Sequence, residues 1–294
     1  MNANNWNSAV TVRLSDDNKG YYVHGDERIP SDVLLPRVTG ILNIIEKQGL
    51  RTWAMNMALD YVREEIYDHV GSPAKPWSDD LKTLGAPPAD NSIEYGLEYI
   101  LGMAQFAHED KRDTAADYGV EAHALLQQLY IDPETAVPDK FRPVVDAWEE
   151  WIDNAGLKIV GTELSMYYYN DAFAFAGTAD LLAVNSDGIP VICDYKTGKF
   201  VYPEYALQMA AYSLALSYCN SRGHSKDKLF TDEQIENTRA FIIKLPKEEG
   251  KLPDIKEVNN LAKQRQAFTY ACMLRQWQSS RDKWVKKSRK KIII

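Results

Sequence analysis

The sequence predicts an α/β (α+β) protein in which a mostly helical first half leads into a mixed central β-sheet flanked by helices. Three observations carry this. The first 155 residues read mainly as helices, whereas from Lys158 onward the chain alternates and is rich in β-branched and aromatic residues. Asn185-Ser186-Asp187-Gly188 is a turn signal between two such runs. After the third run comes a helix with Pro203 in its first turn, and then a further strand-like segment.

In chain order, residues 10–13 and 21–24 are short strand-like runs around Asp16-Asp17-Asn18-Lys19-Gly20 and predict a hairpin. Pro36-Arg37-Val38-Thr39-Gly40 opens a helical stretch ending near Gln48-Gly49, and residues 53–67 form another. Residues 71–91 hold four prolines and several small polar residues, which predicts a loop or insertion. Residues 93–130 are helical in pattern with a break near Arg112-Asp113-Thr114, and residues 139–155 form a further helix. Strands are predicted at 158–169, 172–184, 189–195 and 238–245, with a helix at 203–218 and a long closing helix at 255–284. Val191-Ile192-Cys193 suggests a strand buried on both faces. The expected organisation is an N-terminal hairpin and helical region over 1–112, followed by a core with a C-terminal helix and basic tail over 113–294.

Bulk properties exclude several classes. The chain is 45% hydrophobic, 11% aromatic and 26% charged, ordinary for a globular protein with a sizeable core. No apolar run approaches the roughly 20 residues that span a bilayer, so no membrane association is expected. Met1-Asn2-Ala3-Asn4-Asn5-Trp6 has neither the basic start nor the apolar stretch of a secretory signal. The three cysteines, Cys193, Cys219 and Cys272, are widely spaced and form no Cys-x-x-Cys pair, which points to a reducing, cytoplasmic setting. A net charge of -8 argues against a protein that coats nucleic acid by bulk attraction. It leaves room for a local positive groove, and bound cations add charge where acids cluster. Arg281, Lys283, Lys286, Lys287, Arg289, Lys290 and Lys291 crowd the C-terminus; they read either as a phosphate-contacting arm or as a solvated helix end.

The chemistry-bearing residues lie around the predicted turn. Side chains two apart on a strand face the same way, so Asp194 and Lys196 project into one space, with the Tyr195 carbonyl facing outward between them. Asp180 lies eight residues before Gly188 and Asp194 six after it, so the two acids meet at one end of the strand pair. Such an acid pair repels itself unless a cation or proton intervenes. Two carboxylates suit a hard divalent cation, and a neighbouring lysine can handle the charge and protons of an attacking water. Gln208 and Tyr212 are four apart and share one helix face with Tyr205. From there an amide and a phenol can either bond a nucleic-acid backbone or brace metal ligands. Trp53, with Met55 and Met57, and Tyr167, Tyr168 and Tyr169 are either stacking surfaces for bases or core residues.

Taken together, Gly177-Thr178-Ala179-Asp180, Asp194-Tyr195-Lys196-Thr197-Gly198 and Gln208-x-x-x-Tyr212 resemble the PD-(D/E)XK nuclease superfamily, in particular its RecB-like exonuclease branch. The histidine that this branch carries on the helix before the sheet is matched by Gly119-Val120-Glu121-Ala122-His123. The resemblance covers residues 119–245, with Ala179 in place of the proline of the superfamily name. It implies a restriction-endonuclease-like core and a metal-dependent DNA exonuclease. In that role His123, Asp180, Asp194 and the Tyr195 carbonyl would ligate Mg2+ or Mn2+. Lys196 would position or deprotonate water and stabilise the pentacovalent charge. An acid is common in this branch at the position of Glu163, which would reach the site indirectly through hydrogen bonds. Some members hold an iron–sulfur cluster through four cysteines; with three here, none is expected. No Gly-x-x-x-x-Gly-Lys-Ser/Thr occurs, so any unwinding would need a helicase or recombination partner. The expected substrate is single- or double-stranded DNA engaged at its ends, with the helical first half as a cover that restricts access to them. A phage or mobile element acting in a bacterial host is the expected setting. Structure-specific endonuclease action and a non-catalytic nucleic-acid-binding protein of the same fold are the alternatives.

Overall fold

The computed structural model describes residues 10–45, 52, 54–62, 64, 101, 103, 104, 106–222 and 229–279. The predicted 71–91 loop, Trp53 and the basic cluster beyond residue 280 lie outside them. The chain divides into two compact units, one of Met1–Ile45 with Glu121–Ile294 and one of Glu46–Val120. The sequence instead places the boundary at 112/113 and groups the hairpin with the helices. In the second unit residues 52, 54–62 and 64 are helical. No helix among the described residues is long and apolar enough to cross a membrane.

The first unit is built on a five-stranded sheet in the order β4-β5-β6-β7-β8: β4 (Lys158–Tyr169), β5 (Ala174–Val184), β6 (Pro190–Lys196), β7 (Arg239–Lys244) and β8 (Asp254–Glu257). Pairing is antiparallel except between β6 and β7, so the sheet is mixed, as the sequence predicts. The parallel pair needs a crossover, and helix α4 (Pro203–Ser221) supplies it. The N-terminal strands β1 (Thr11–Leu14), β2 (Gly20–His24) and β3 (Leu34–Pro36) form a separate three-stranded sheet. They lead into the short helix α1 (Val38–Leu42).

Small side chains on β5 let other elements come close. A Cβ on Gly177 would lie 2.8 Å from Tyr212 Cε1 on α4 and 2.9 Å from Val38 Cγ2 on α1. Phe175 on the same strand packs edge-on against Phe268 of helix α6 (Leu261–Ser279), with ring centroids 4.9 Å apart. On the N-terminal side, helix α2 (Ala107–Ile131) contributes residues 121–131 to the first unit. A 3-10 turn at Asp139–Phe141 then opens helix α3 (Arg142–Ala155). Val144, Val145, Trp148 and Trp151 bury one face of α3, and Gly156 closes it at φ 60°.

The structure corrects several expectations. Helix α2 runs unbroken through Arg112-Asp113-Thr114. The closing helix starts at Leu261 rather than near 255, because residues 254–257 pair with the outer edge of β7. Strand β3 and helix α5 (Asp232–Glu236) were not anticipated, although Thr231 and Gln234 form a complete capping box. Tyr167 is fully buried, and Tyr168 stacks on Phe173 and Phe175, so these tyrosines form core rather than a stacking surface.

The sheet has one fork. Strand β5 pairs with β6 only over Leu181–Val184; further back, Ala176 bridges Arg37 instead. The two strands therefore part at Asp180 and Asp194. The close approach at Gly177 holds α4 against this fork. Gly177→Ala is expected to destabilise the protein by about 1–3 kcal/mol through overpacking, read as a lower urea midpoint. An unchanged midpoint would mean that α4 is not pinned there.

Candidate active site

Asp180 and Asp194 sit where β5 and β6 separate, and both are buried, at 8% and 2% exposure. The Tyr195 backbone N–H donates to Asp180 Oδ2 at 2.5 Å. Asp180 Oδ1 lies 3.3 Å from His123 Nδ1 on α2. The Tyr195 side chain turns under the helices, where its hydroxyl accepts from Trp148 Nε1 at 2.8 Å. That anchor fixes the strand segment carrying Asp194 and Lys196.

Strand β4 adds Glu163. Thr162 pairs with Leu181 and Leu164 with Ala179, so Glu163 falls opposite Asp180. It does so at φ 49°, a left-handed backbone that costs a non-glycine residue roughly 1–3 kcal/mol and tends to occur at functional sites. Ligand atoms of His123, Glu163 and Asp180 lie within 4.8 Å of one another.

The second half of the site hangs on Gln208. Its Nε2 donates to Asp194 Oδ1 at 3.0 Å and to the Tyr212 hydroxyl at 2.8 Å, and its Oε1 accepts from Lys196 Nζ at 3.3 Å. This amide orientation alone gives the carboxylate a donor and the ammonium an acceptor. Lys196 Nζ also forms an ion pair with Asp194 Oδ2 and lies 4.7 Å above the Tyr205 ring.

All five predicted catalytic residues, Asp180, Asp194, Lys196, Gln208 and Tyr212, thus gather at the fork. The expected ligand set does not gather in the same way. His123 and Asp180 cluster with Glu163, whereas Asp194 is engaged by Lys196 and Gln208. Tyr195 meets the site through its N–H. Gln208 and Tyr212 are buried and bonded to the site, which favours bracing over contact with a nucleic-acid backbone.

Electrostatics favour a cation here. Burial, then Asp180, push the Glu163 carboxyl up to about 7. Burial raises Asp194 to about 6 against the pull of Lys196. Burial also acts to raise Asp180, but His123, Lys196 and the Tyr195 N–H outweigh it and hold Asp180 below the usual carboxylate range. Desolvation would lower His123, yet Asp180 lifts it to about 9. Two carboxylates and an imidazole make a donor set for a divalent ion. The same small cavity is lined by Thr162, whose buried hydroxyl has no hydrogen-bond partner among the described residues.

A family model described as the PD-(D/E)XK nuclease superfamily matches residues 139–289, just over half of the chain. The chain belongs to this superfamily. The match includes Glu163, Asp180, Asp194, Lys196, Gln208 and Tyr212, and His123 lies before it. PD-(D/E)XK nucleases use divalent metals, and the trio at the fork is a group of side chains that could hold one. Among solved structures, the chain resembles SSO0001 at 12% identity and a TM-score of 0.31, over 73% of this chain and 84% of that one. It also resembles a candidate exonuclease from Eubacterium rectale at 16% identity and a TM-score of 0.37, over 64% of this chain and 73% of that one. No curated protein matches the chain.

Because His123 is protonated below about 9 and Glu163 below about 7 in the metal-free protein, an ion at the trio must displace those protons. The charged His123–Asp180 pair stabilises the metal-free fold fully below the ordinary histidine pKa, and that contribution is lost as pH rises through about 9. Apparent Mn2+ affinity moves the opposite way and rises with pH. The expected slope is about tenfold per unit for each proton displaced, measured by calorimetric titration from pH 6 to 9. Glu163→Gln should flatten the lower part of that curve. Affinity independent of pH would contradict the assignment.

Proposed function

We propose that this chain is a divalent-metal-dependent deoxyribonuclease that hydrolyses phosphodiester bonds from DNA ends. The observation that carries the reading is the convergence of His123, Glu163 and Asp180 beside a lysine held by Asp194 and Gln208. Exonuclease action and DNA as the substrate rest on the resemblance of the motif set to the RecB-like branch.

In this reading His123, Glu163 and Asp180 would hold Mg2+ or Mn2+, and the imidazole favours Mn2+. The Tyr195 carbonyl and Asp194, expected as further ligands, lie on the adjoining strand. The ion would supply Lewis acidity to the phosphoryl oxygen and acidify a water. Burial acts to lower the Lys196 pKa, but Asp194 and Asp180 overcome it and raise it above the usual lysine value. Lys196 therefore remains an ammonium at neutral pH. Its role in this reading is to orient water and to stabilise the negative charge that develops on the phosphoryl oxygens. Gln208 keeps Lys196 and Asp194 in register, and Tyr212 and Tyr205 fix Gln208 and Lys196 in turn. Service in recombination or DNA processing, alongside a helicase or recombination partner in the cytoplasm of a phage-infected bacterium, extends this reading.

The test is digestion of end-labelled single- and double-stranded DNA with Mn2+ or Mg2+, read for product length, beside closed circular DNA. The reading predicts shortening of linear DNA only. Cutting of the circle would make the enzyme an endonuclease, and thermal stabilisation by metal without cleavage of any DNA or RNA would make it a binding protein. Asp180→Asn and Lys196→Ala should each lower kcat about 10²-fold or more while the circular dichroism melt stays cooperative. Full activity in both variants would refute the site.

A further inference from the structure

A chain of aromatic and cationic side chains leaves the site along the loop between β6 and α4. Lys196 Nζ lies over Tyr205, and Tyr205 meets Tyr202 edge-on with centroids 5.6 Å apart. Tyr202 meets Phe200 at 6.4 Å, and Lys199 Nζ lies 5.5 Å from the Phe200 ring centroid. Phe200 is 57% exposed, whereas Phe175 and Phe268 in the core are fully buried. Next to it, a Cβ added at Gly198 would meet nothing within 4 Å among the described residues, so they leave the space beside this loop open.

We propose that Phe200 and Tyr202 form a stacking platform for unpaired bases of the nucleic-acid chain that enters the site. The proposal rests on the nuclease reading above and names the substrate form. Three physical arguments point to this occupant. An exposed aromatic ring leaves a large apolar face in water, and a nucleobase presents an equally flat partner of any sequence. The platform is continuous with Lys196, so a base stacked on it belongs to the strand whose phosphates reach the fork. With Lys196 paired to Asp194, the loop itself carries Lys199 against Glu204, so the approach to the platform has no net negative charge in a chain of net charge -8. Bases inside a duplex already have both faces covered by neighbours, so the platform selects single-stranded ends and overhangs over blunt duplex. Phe200 and Tyr202 lie outside the His123, Glu163 and Asp180 cluster and the cavity beside it, so in this proposal both position the strand.

The experiment measures kcat and KM of the full chain with Mn2+ on end-labelled oligothymidylate and on a blunt duplex. Phe200→Ala should raise KM for oligothymidylate about tenfold, with kcat and the duplex KM unchanged. Phe200→Tyr should restore the wild-type value, and Phe200→Leu, apolar but without a π face, should not. Phe200 is on the surface, so these variants leave the core intact. No change, or an equal rise on both substrates, would overturn the platform. If the wild-type protein cleaves neither substrate, the nuclease reading has failed on its own account. Fluorescence anisotropy of labelled oligothymidylate with metal-free protein then decides the platform: about tenfold weaker binding by Phe200→Ala supports it, and equal or absent binding overturns it.

Discussion

Three carboxyl groups, Glu163, Asp180 and Asp194, share one largely buried end of a sheet, and their mutual repulsion is the constraint around which the site is organised. Water cannot screen them there, so each must be neutralised, paired or hydrogen-bonded. The protein answers differently for each. Asp180 takes an imidazole and a backbone N–H. Asp194 takes an ammonium and an amide. Glu163 has its pKa raised to about 7, near the point where a proton and a metal ion compete for it.

Those answers dictate much of the fold. Strands β5 and β6 must part at the two aspartates so that the Tyr195 N–H, released from pairing with β5, can turn to Asp180. Helix α4 must lie against the fork so that Gln208 reaches between Asp194 and Lys196, and glycine at 177 permits the approach. Helices α2 and α3 must cover the other side, where His123 and the Trp148–Tyr195 hydrogen bond close the cavity. The left-handed Glu163 backbone and the crowded carboxyls both cost folding free energy, and a bound cation would offset the charge repulsion.

Strands β4 to β6 and helix α4 were legible in the sequence because alternation, the Asn185 to Gly188 turn and the Pro203 start are local signals. Strand periodicity put Asp194 and Lys196 on one face and the turn brought Asp180 level with them, and helical spacing put Gln208 and Tyr212 together; the resemblance of the combined motifs to the PD-(D/E)XK superfamily is what marked them as a site. Strand β8 was not legible: Asp254-Ile255-Lys256-Glu257 has no strand pattern strong enough to mark it, and only the open edge of β7 makes it one. The resemblance pointed to Glu163 as an indirect contributor, and its direct place among the ligand atoms was hidden for a related reason. An irregularity in β4 between Ile159 and Gly161 shifts its register against β5, and the left-handed turn at Glu163 itself aims the side chain. Neither leaves a mark that counting residues can detect. In sequence Tyr167 to Tyr169 read as either a stacking surface or core, and they are core because α4 and the N-terminal loop cover them, whereas Phe200, unremarked in sequence, is a ring left in solvent close to the site.

The central claim is that the three groups His123, Glu163 and Asp180 converge to hold one divalent ion. The most direct measurement is a crystal structure of the protein soaked in Mn2+, with data collected at the manganese absorption edge. The account predicts an anomalous peak within coordination distance of all three side chains. A peak elsewhere with these side chains pointing apart, or no peak at saturating Mn2+, would contradict it.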